Sequence, residues 1–164
     1  MSQTATQRRT ETTGIETVLL AVGSEDENRT KRLAAEAIAV AGPTDAEVVL
    51  THVFTEAEFD DVREKLDVDV ASEESTPDAV AKRHTTTRSI SKALTEAGID
   101  HTIRGAVGDH ADEIVSLAEE HDADRVLVGG RNRSPTGKAV FGSVAQEVML
   151  TAPCPVTFVR ADTK

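Results

Sequence analysis

The sequence predicts an α/β fold: a doubly wound, five-stranded parallel sheet in the order 3-2-1-4-5, with helices on both faces. Three observations carry that prediction. Short continuous apolar runs, such as Val18 to Val22 and Val126 to Val128, have the branched content of strands buried on both faces. Longer segments with apolar residues at helical spacing lie between such runs, so strand and helix alternate from Thr17 to Arg160. Aromatic residues make up only 2% of the chain, with no Trp or Tyr, so the core must be Val, Leu, Ile and Ala. Such a core suits a parallel sheet under Ala-rich helices.

The elements follow in order. Residues 1–14 are rich in Thr, Gln, Ser and Arg, with almost no large apolar side chain, and read as a disordered tail rather than a secretory signal. The single domain spans residues 15–160, and residues 161–164 form a short C-terminal tail. Thr17 to Val22 is the first strand and Gly23 ends it. Ser24-x-x-Glu27 has the pattern of a capping box before a helix running to about Ala41, where Gly42-Pro43 stops it. Glu47 to Phe54 is the second strand. The acidic stretch from Glu56 to Thr76 holds a short helix over Ala57 to Leu66, then a loop. Pro77 opens one long helix to about Ala97, ended by Gly98. Ile99 to Ala106 is the third strand, and Gly108-Asp109 caps a helix with Ala111, Ile114, Val115 and Ala118 on one face. Asp124 to Val128 is the fourth strand. A helix from Gly142 to about Leu150 and a fifth strand from Pro155 to Arg160 complete the pattern.

In a sheet of this order, ligands sit at the carboxyl ends of the first and fourth strands, where the winding reverses. Gly23 and Gly129 meet there. After Gly129-Gly130 comes a basic loop carrying Arg131, Arg133 and Lys138, and then Gly142-Ser143 at a helix start. Glycines allow close backbone approach to an anion, and free amides and the helix dipole favour negative charge there. The stretch can hold phosphates; a plain surface loop is the competing reading.

The same stretch resembles the nucleotide loop of the universal stress proteins, G-x2-G-x9-G-[ST]. Gly129, Gly142 and Ser143 fall on that pattern, while Asn132 replaces its second glycine. Asn tolerates a left-handed backbone better than other side chains, so the loop can keep its shape. Further likeness lies in Leu50-Thr51-His52-Val53, in Gly108-Asp109 with Ile114, and in Ala152-Pro153-Cys154-Pro155-Val156. The resemblance covers nearly everything from Thr17 to Arg160. It implies a cytoplasmic homodimer acting in stress response, in a family with ATP-binding and non-binding branches. In binding members Ala21, Val22, Gly23 and Val53 would frame the adenosine. Gly129, Arg131, Asn132, Gly142, Ser143 and Val144 would hold the phosphates, with Mg2+ as a companion of ATP. Binders carry an Asp directly after the first strand, whereas this chain has Gly23 followed by Ser24. Glu25 or Asp26 could approach from the next turn or could stabilise the helix N-terminus. The alternative is a dimeric interaction module of the same fold that binds no nucleotide. The family's dimer contact implies pairing through the strand at Val156 to Arg160, which also lies at a sheet edge in this order.

The formal charge of −11, from 29 acidic and 18 basic residues, argues against general binding of nucleic acid or anionic membranes. No apolar run reaches bilayer length. The acidic surplus, the excess of Arg over Lys and the plentiful Thr suit a salt-rich cytosol, as in a halophilic archaeon. Cys154 is alone, which excludes an internal disulfide, and reads as a small buried apolar side chain. The five His residues show no metal-ligand spacing, and His52 reads as structural. No catalytic group is assigned. Slow ATP hydrolysis would need a base that the sequence does not identify, Asp109 looks like a helix cap rather than a phosphoryl acceptor, and any protein partner is unknown.

Overall fold

The computed structural model describes residues 14–23, 26, 29–65, 73–130 and 142–160. The expected tails (apart from Gly14), the Ser24-x-x-Glu27 capping box, and Arg131 and Asn132 lie outside the described residues. Strands β1 (Thr17–Val22), β2 (Glu47–Phe54), β3 (His101–Val107), β4 (Arg125–Gly130) and β5 (Val156–Arg160) form one parallel sheet. Its order is β3-β2-β1-β4-β5, as the alternation of elements predicts. The helices are α1 (Thr30–Ala41), α2 (Glu56–Lys65), α3 (Pro77–Arg83), α4 (Thr85–Glu96), α5 (His110–Glu120) and α6 (Ser143–Thr151).

Strand alternation divides the core into two layers. Val18, Leu20 and Val22 of β1 face Leu33 and Ala37 of α1 and Ile90 and Leu94 of α4. Leu19 and Ala21 face the other way, with Ile114 and Leu117 of α5 and Ala145 and Val148 of α6. Both faces of the central strands are therefore dry, which explains their unbroken apolar sequence. Cys154 is half-buried and packs at the margin of the second layer rather than inside it.

Two helix boundaries differ from the sequence reading. Helix α1 begins only at Thr30, behind Arg29, which makes no side-chain cap bond. The long helix expected from Pro77 to Ala97 is two helices broken at His84, whose backbone is extended at φ −70° and ψ 137°. The break has a packing cause. The His84 ring lies 4.4 Å from that of His52, and Thr86 and Thr87 just beyond it are buried. An unbroken helix would not bring all three side chains onto the sheet.

Helix α3 covers the β3 edge of the sheet. Thr76 accepts a hydrogen bond from the Ala79 amide, Pro77 occupies the first turn, and Asp78 accepts from the Gly105 amide at 2.7 Å. That bond occupies a donor of an edge strand which would otherwise be open to pairing with another chain.

Candidate functional site

The strand register places the site. Ala21 pairs with Val128 and Val22 with His52, so Gly23, Val53 and Gly129 gather at the carboxyl ends of β1, β2 and β4. A cavity of about 300 Å³ opens there. Ala21, Val22, Gly23, Val53, Gly129, Gly142, Ser143 and Val144, all singled out from the sequence, line it together. Its wall also includes Asp26, one of the two carboxylates that the sequence offered from the next turn, together with Arg29, Glu58, His110, Ile114, Val128 and Ala145, which the sequence reading did not place at the site.

Gly142 is the N-cap of α6, with φ −62° and ψ 156°, a conformation open to any residue. A Cβ added there meets no described atom within 4 Å. Neither backbone conformation nor described packing thus requires glycine at this wall. The first amides of α6 have no carbonyl of a preceding helical turn to bond, so they are available to an anion.

Gly129 is different. A Cβ there would lie 2.7 Å from Asp26 Oδ1 and 2.8 Å from Arg29 Cδ and Nε. Arg29 Nε donates to Asp26 Oδ1, and both residues are buried. Glycine at this position makes room for a buried ion pair. Asp26 Oδ2 accepts from the Gly23 amide at 2.7 Å, so this carboxylate folds back to the end of β1 instead of capping α1. It lies 3.9 Å from where a Gly23 Cβ would be. A carboxylate thus stands at the end of β1, three residues beyond Gly23. The sequence signal was Asp26-x-x-Arg29, a spacing that a helical pair and this turn share.

At the other end of the cavity, Glu58 and His110 meet. Thr55 and Glu58 form a capping box at the start of α2: Glu58 Oε1 accepts from the Thr55 amide at 2.7 Å, and Thr55 Oγ1 accepts from the Glu58 amide at 3.1 Å. His110 Nε2 lies 2.9 Å from the same Glu58 oxygen. Partial burial pushes the Glu58 carboxyl up, but the hydrogen bonds from Thr55 and His110 outweigh it and hold the group below its usual range. The sequence signal was Thr55-x-x-Glu58; nothing local linked it to His110.

Behind this wall His52 is buried, stacked on Phe54 with ring centroids 4.1 Å apart. Burial, followed by the neighbouring His84, lowers its pKa from 6.5 to about 3. The unfolded chain therefore takes up a proton at His52 before the folded one does, and stability falls as pH drops from about 6.5 towards 3. About 2 kcal/mol should be lost between pH 7 and pH 5 through this residue. Urea titrations at the two pH values check this, and His52→Gln should remove most of the difference.

Among the described residues no group of three or more His, Cys, Asp or Glu could hold a metal ion. No described helix is long and apolar enough to cross a membrane.

A doubly wound parallel sheet with a cavity at its switch point is an α/β architecture in which ligands characteristically sit at that crevice. The chain belongs to the universal stress protein family, whose family model matches residues 14–160. A universal stress protein of Mycolicibacterium smegmatis is 38% identical over 68 residues, which cover 41% of this chain and 52% of that one. The match thus spans about half the length of that relative. The fold is similar to that of a universal stress protein from Archaeoglobus fulgidus solved in complex with dAMP, at 19% identity and a TM-score of 0.60, covering 88% of this chain and 97% of that one. It is also similar to a family protein from Arabidopsis thaliana solved with AMP bound, at 17% identity and a TM-score of 0.61, covering 90% and 93%.

Proposed function

We propose that this chain is an adenine-nucleotide-binding regulatory protein acting in stress response. In this reading it binds ATP or a related nucleotide in the cavity between β1, β2 and β4. The observation that carries the reading is Gly142: a glycine required by neither backbone nor described packing, at a helix N-terminus that lines the cavity. The nucleotides held by the two structural relatives support the ligand class. Phosphates would lie on the amides of Ser143 and Val144, with Gly129 beside them and Arg131 and Asn132 as further expected contacts. The adenosine would lie against Ala21, Val22, Gly23 and Val53. With no described carboxylate cluster to hold it, Mg2+ would arrive on the phosphates. The role is regulatory rather than enzymatic, in the cytoplasm, through a protein partner yet to be found. The salt-rich setting rests on the charge balance alone.

Calorimetry with ATP at fixed salt tests the site. Ser143→Ala removes one hydrogen bond to a charged group and should weaken binding roughly ten- to a hundredfold. Gly142→Val should block close approach and weaken it at least as much. Failure of the wild type to bind any adenine nucleotide would leave the partner-surface role in its place. Asp26 changes what Gly23→Asp would do. A second carboxylate would crowd the first, so no gain in affinity should follow.

The protein is also proposed to be a homodimer through β5, which lies at the sheet edge. Leu150, 78% exposed on the neighbouring helix α6, would offer an apolar contact to such an interface. Light scattering should give twice the monomer mass at micromolar concentration; a monomer would refute the interface.

A further inference from the structure

Away from the cavity, one serine is paired with a histidine in the arrangement of a nucleophile and its base. Ser91 Oγ on α4 lies 2.8 Å from His101 Nε2 at the start of β3. His101 Nδ1 lies 3.0 Å from the carbonyl oxygen of Ile99. Both residues are half-buried, so a small molecule can reach the pair.

The turn between the two elements builds this arrangement. Gly98, at φ 74°, closes α4: its amide donates to the Thr95 carbonyl, and the Ile99 amide donates to that of Leu94. The Asp100 carbonyl then accepts from the Val48 amide, which seats β3 on β2. The Ile99 carbonyl is thereby held beside the ring of the residue two positions on. A carbonyl oxygen only accepts, so Nδ1 carries the hydrogen there, and in the neutral ring Nε2 is left bare to accept from the Ser91 hydroxyl. A base within hydrogen-bond reach of a hydroxyl, itself oriented by a third group, is the geometry that activates a serine.

The surface around Ser91 indicates what would react with it. Arg88, one turn earlier on α4, and Lys92, the next residue, are both exposed. With Thr85 and Ser89 they line a shallow hollow on the helix. Residues three apart on a helix have Cβ atoms about 5–6 Å apart, so Arg88 can hold an anion beside the Ser91 hydroxyl. No carboxylate occurs in α4 before Glu96, its last residue. In a chain of formal charge −11 this is a local cationic surface.

We propose that Ser91 is an acyl-accepting nucleophile, with His101 as its general base, and that the acyl donors it takes are acyl phosphates. Ser91 Oγ attacks the acyl carbon while its proton passes to His101 Nε2. The bond from that carbon to the phosphate oxygen breaks, and phosphate leaves with the bonding pair and takes up the proton from Nε2. The products are an ester on Ser91 and free phosphate. His101 begins β3, so this site stands at the amino end of the sheet, whereas the cavity lies at the carboxyl ends. Nucleotide binding and Ser91 acylation can therefore fail separately.

Acetyl phosphate and the neutral ester 4-nitrophenyl acetate are the probes, used on the full chain at about pH 8, well above the range in which free imidazole is protonated. Peptide mass spectrometry locates the acetyl group, and hydroxylamine removes it from serine esters but not from lysine amides. Acetyl phosphate should place an ester on Ser91 and leave Ser89, exposed on the same helix, unmodified. His101→Gln should slow that reaction roughly a hundredfold. Molar salt should slow acetyl phosphate more than the neutral ester. Acetyl on lysines alone, or Ser89 reacting as fast as Ser91, would overturn the proposal in wild type, whatever the variant's fold. An unchanged rate in folded His101→Gln would remove His101 as the base and overturn it as well. Reaction of Ser91 with the neutral ester only would overturn the assignment of acyl phosphates.

Discussion

Replacing Gly105 with alanine should lower the thermal midpoint by roughly 6–12 °C, from a loss of about 3 kcal/mol. The added Cβ would lie 2.0 Å from the Pro77 carbonyl oxygen and 2.4 Å from its carbon. Both are backbone atoms of the first turn of α3, so no side-chain rotation relieves the clash. The helix must move away from β3, and the hydrogen bond from the Gly105 amide to Asp78 lengthens or breaks. Val80 and Ala81 would be drawn out of their packing with Phe54 and Phe59. A melt within about 2 °C of wild type would show that α3 does not sit on the strand as described. Gly98→Ala is a useful comparison. Nothing lies within 4 Å of its added Cβ, and its cost comes from a backbone at φ 74° rather than from packing.

Asp26→Ala should cost about 3–5 kcal/mol in urea unfolding, because it strips a buried guanidinium of a charged partner and the Gly23 amide of its acceptor. The double variant Asp26→Ala with Arg29→Met should recover most of that loss, since apolar replacement of a whole buried pair is commonly near neutral. Simple additivity of the two changes would refute the coupling. Asp26→Asn separates the terms, as it retains an acceptor for the Gly23 amide while removing the charge. The pair also ties the turn after β1 to β4, because it lies against the open face of Gly129. The double variant should therefore fold well and still bind nucleotide less well than wild type, its cavity wall having lost both charges.

By itself the sequence determined the sheet, its order, and the end of the sheet where a ligand would sit. The central strands are buried on both faces, so an apolar run such as Val18 to Val22 is continuous and legible without knowledge of its neighbours. Right-handed crossovers then leave few arrangements, and strand ends such as Gly23, Val53 and Gly129 fall together by register alone. What only the tertiary structure decided lies in the side chains that meet across elements. His84 breaks a helix to pack its ring against that of His52 on β2. Gly105 is small because α3 lies on it. Asp26 reads locally as a helix-capping residue, yet its carboxylate turns back to Gly23 and Arg29. Glu58 and His110 are 52 positions apart and become a pair only when β2 and β3 lie side by side. Local periodicity records which face of an element is dry. It does not record which polar group waits on the neighbouring element, because that depends on register and helix placement, and the chemistry of this cavity is set at that level.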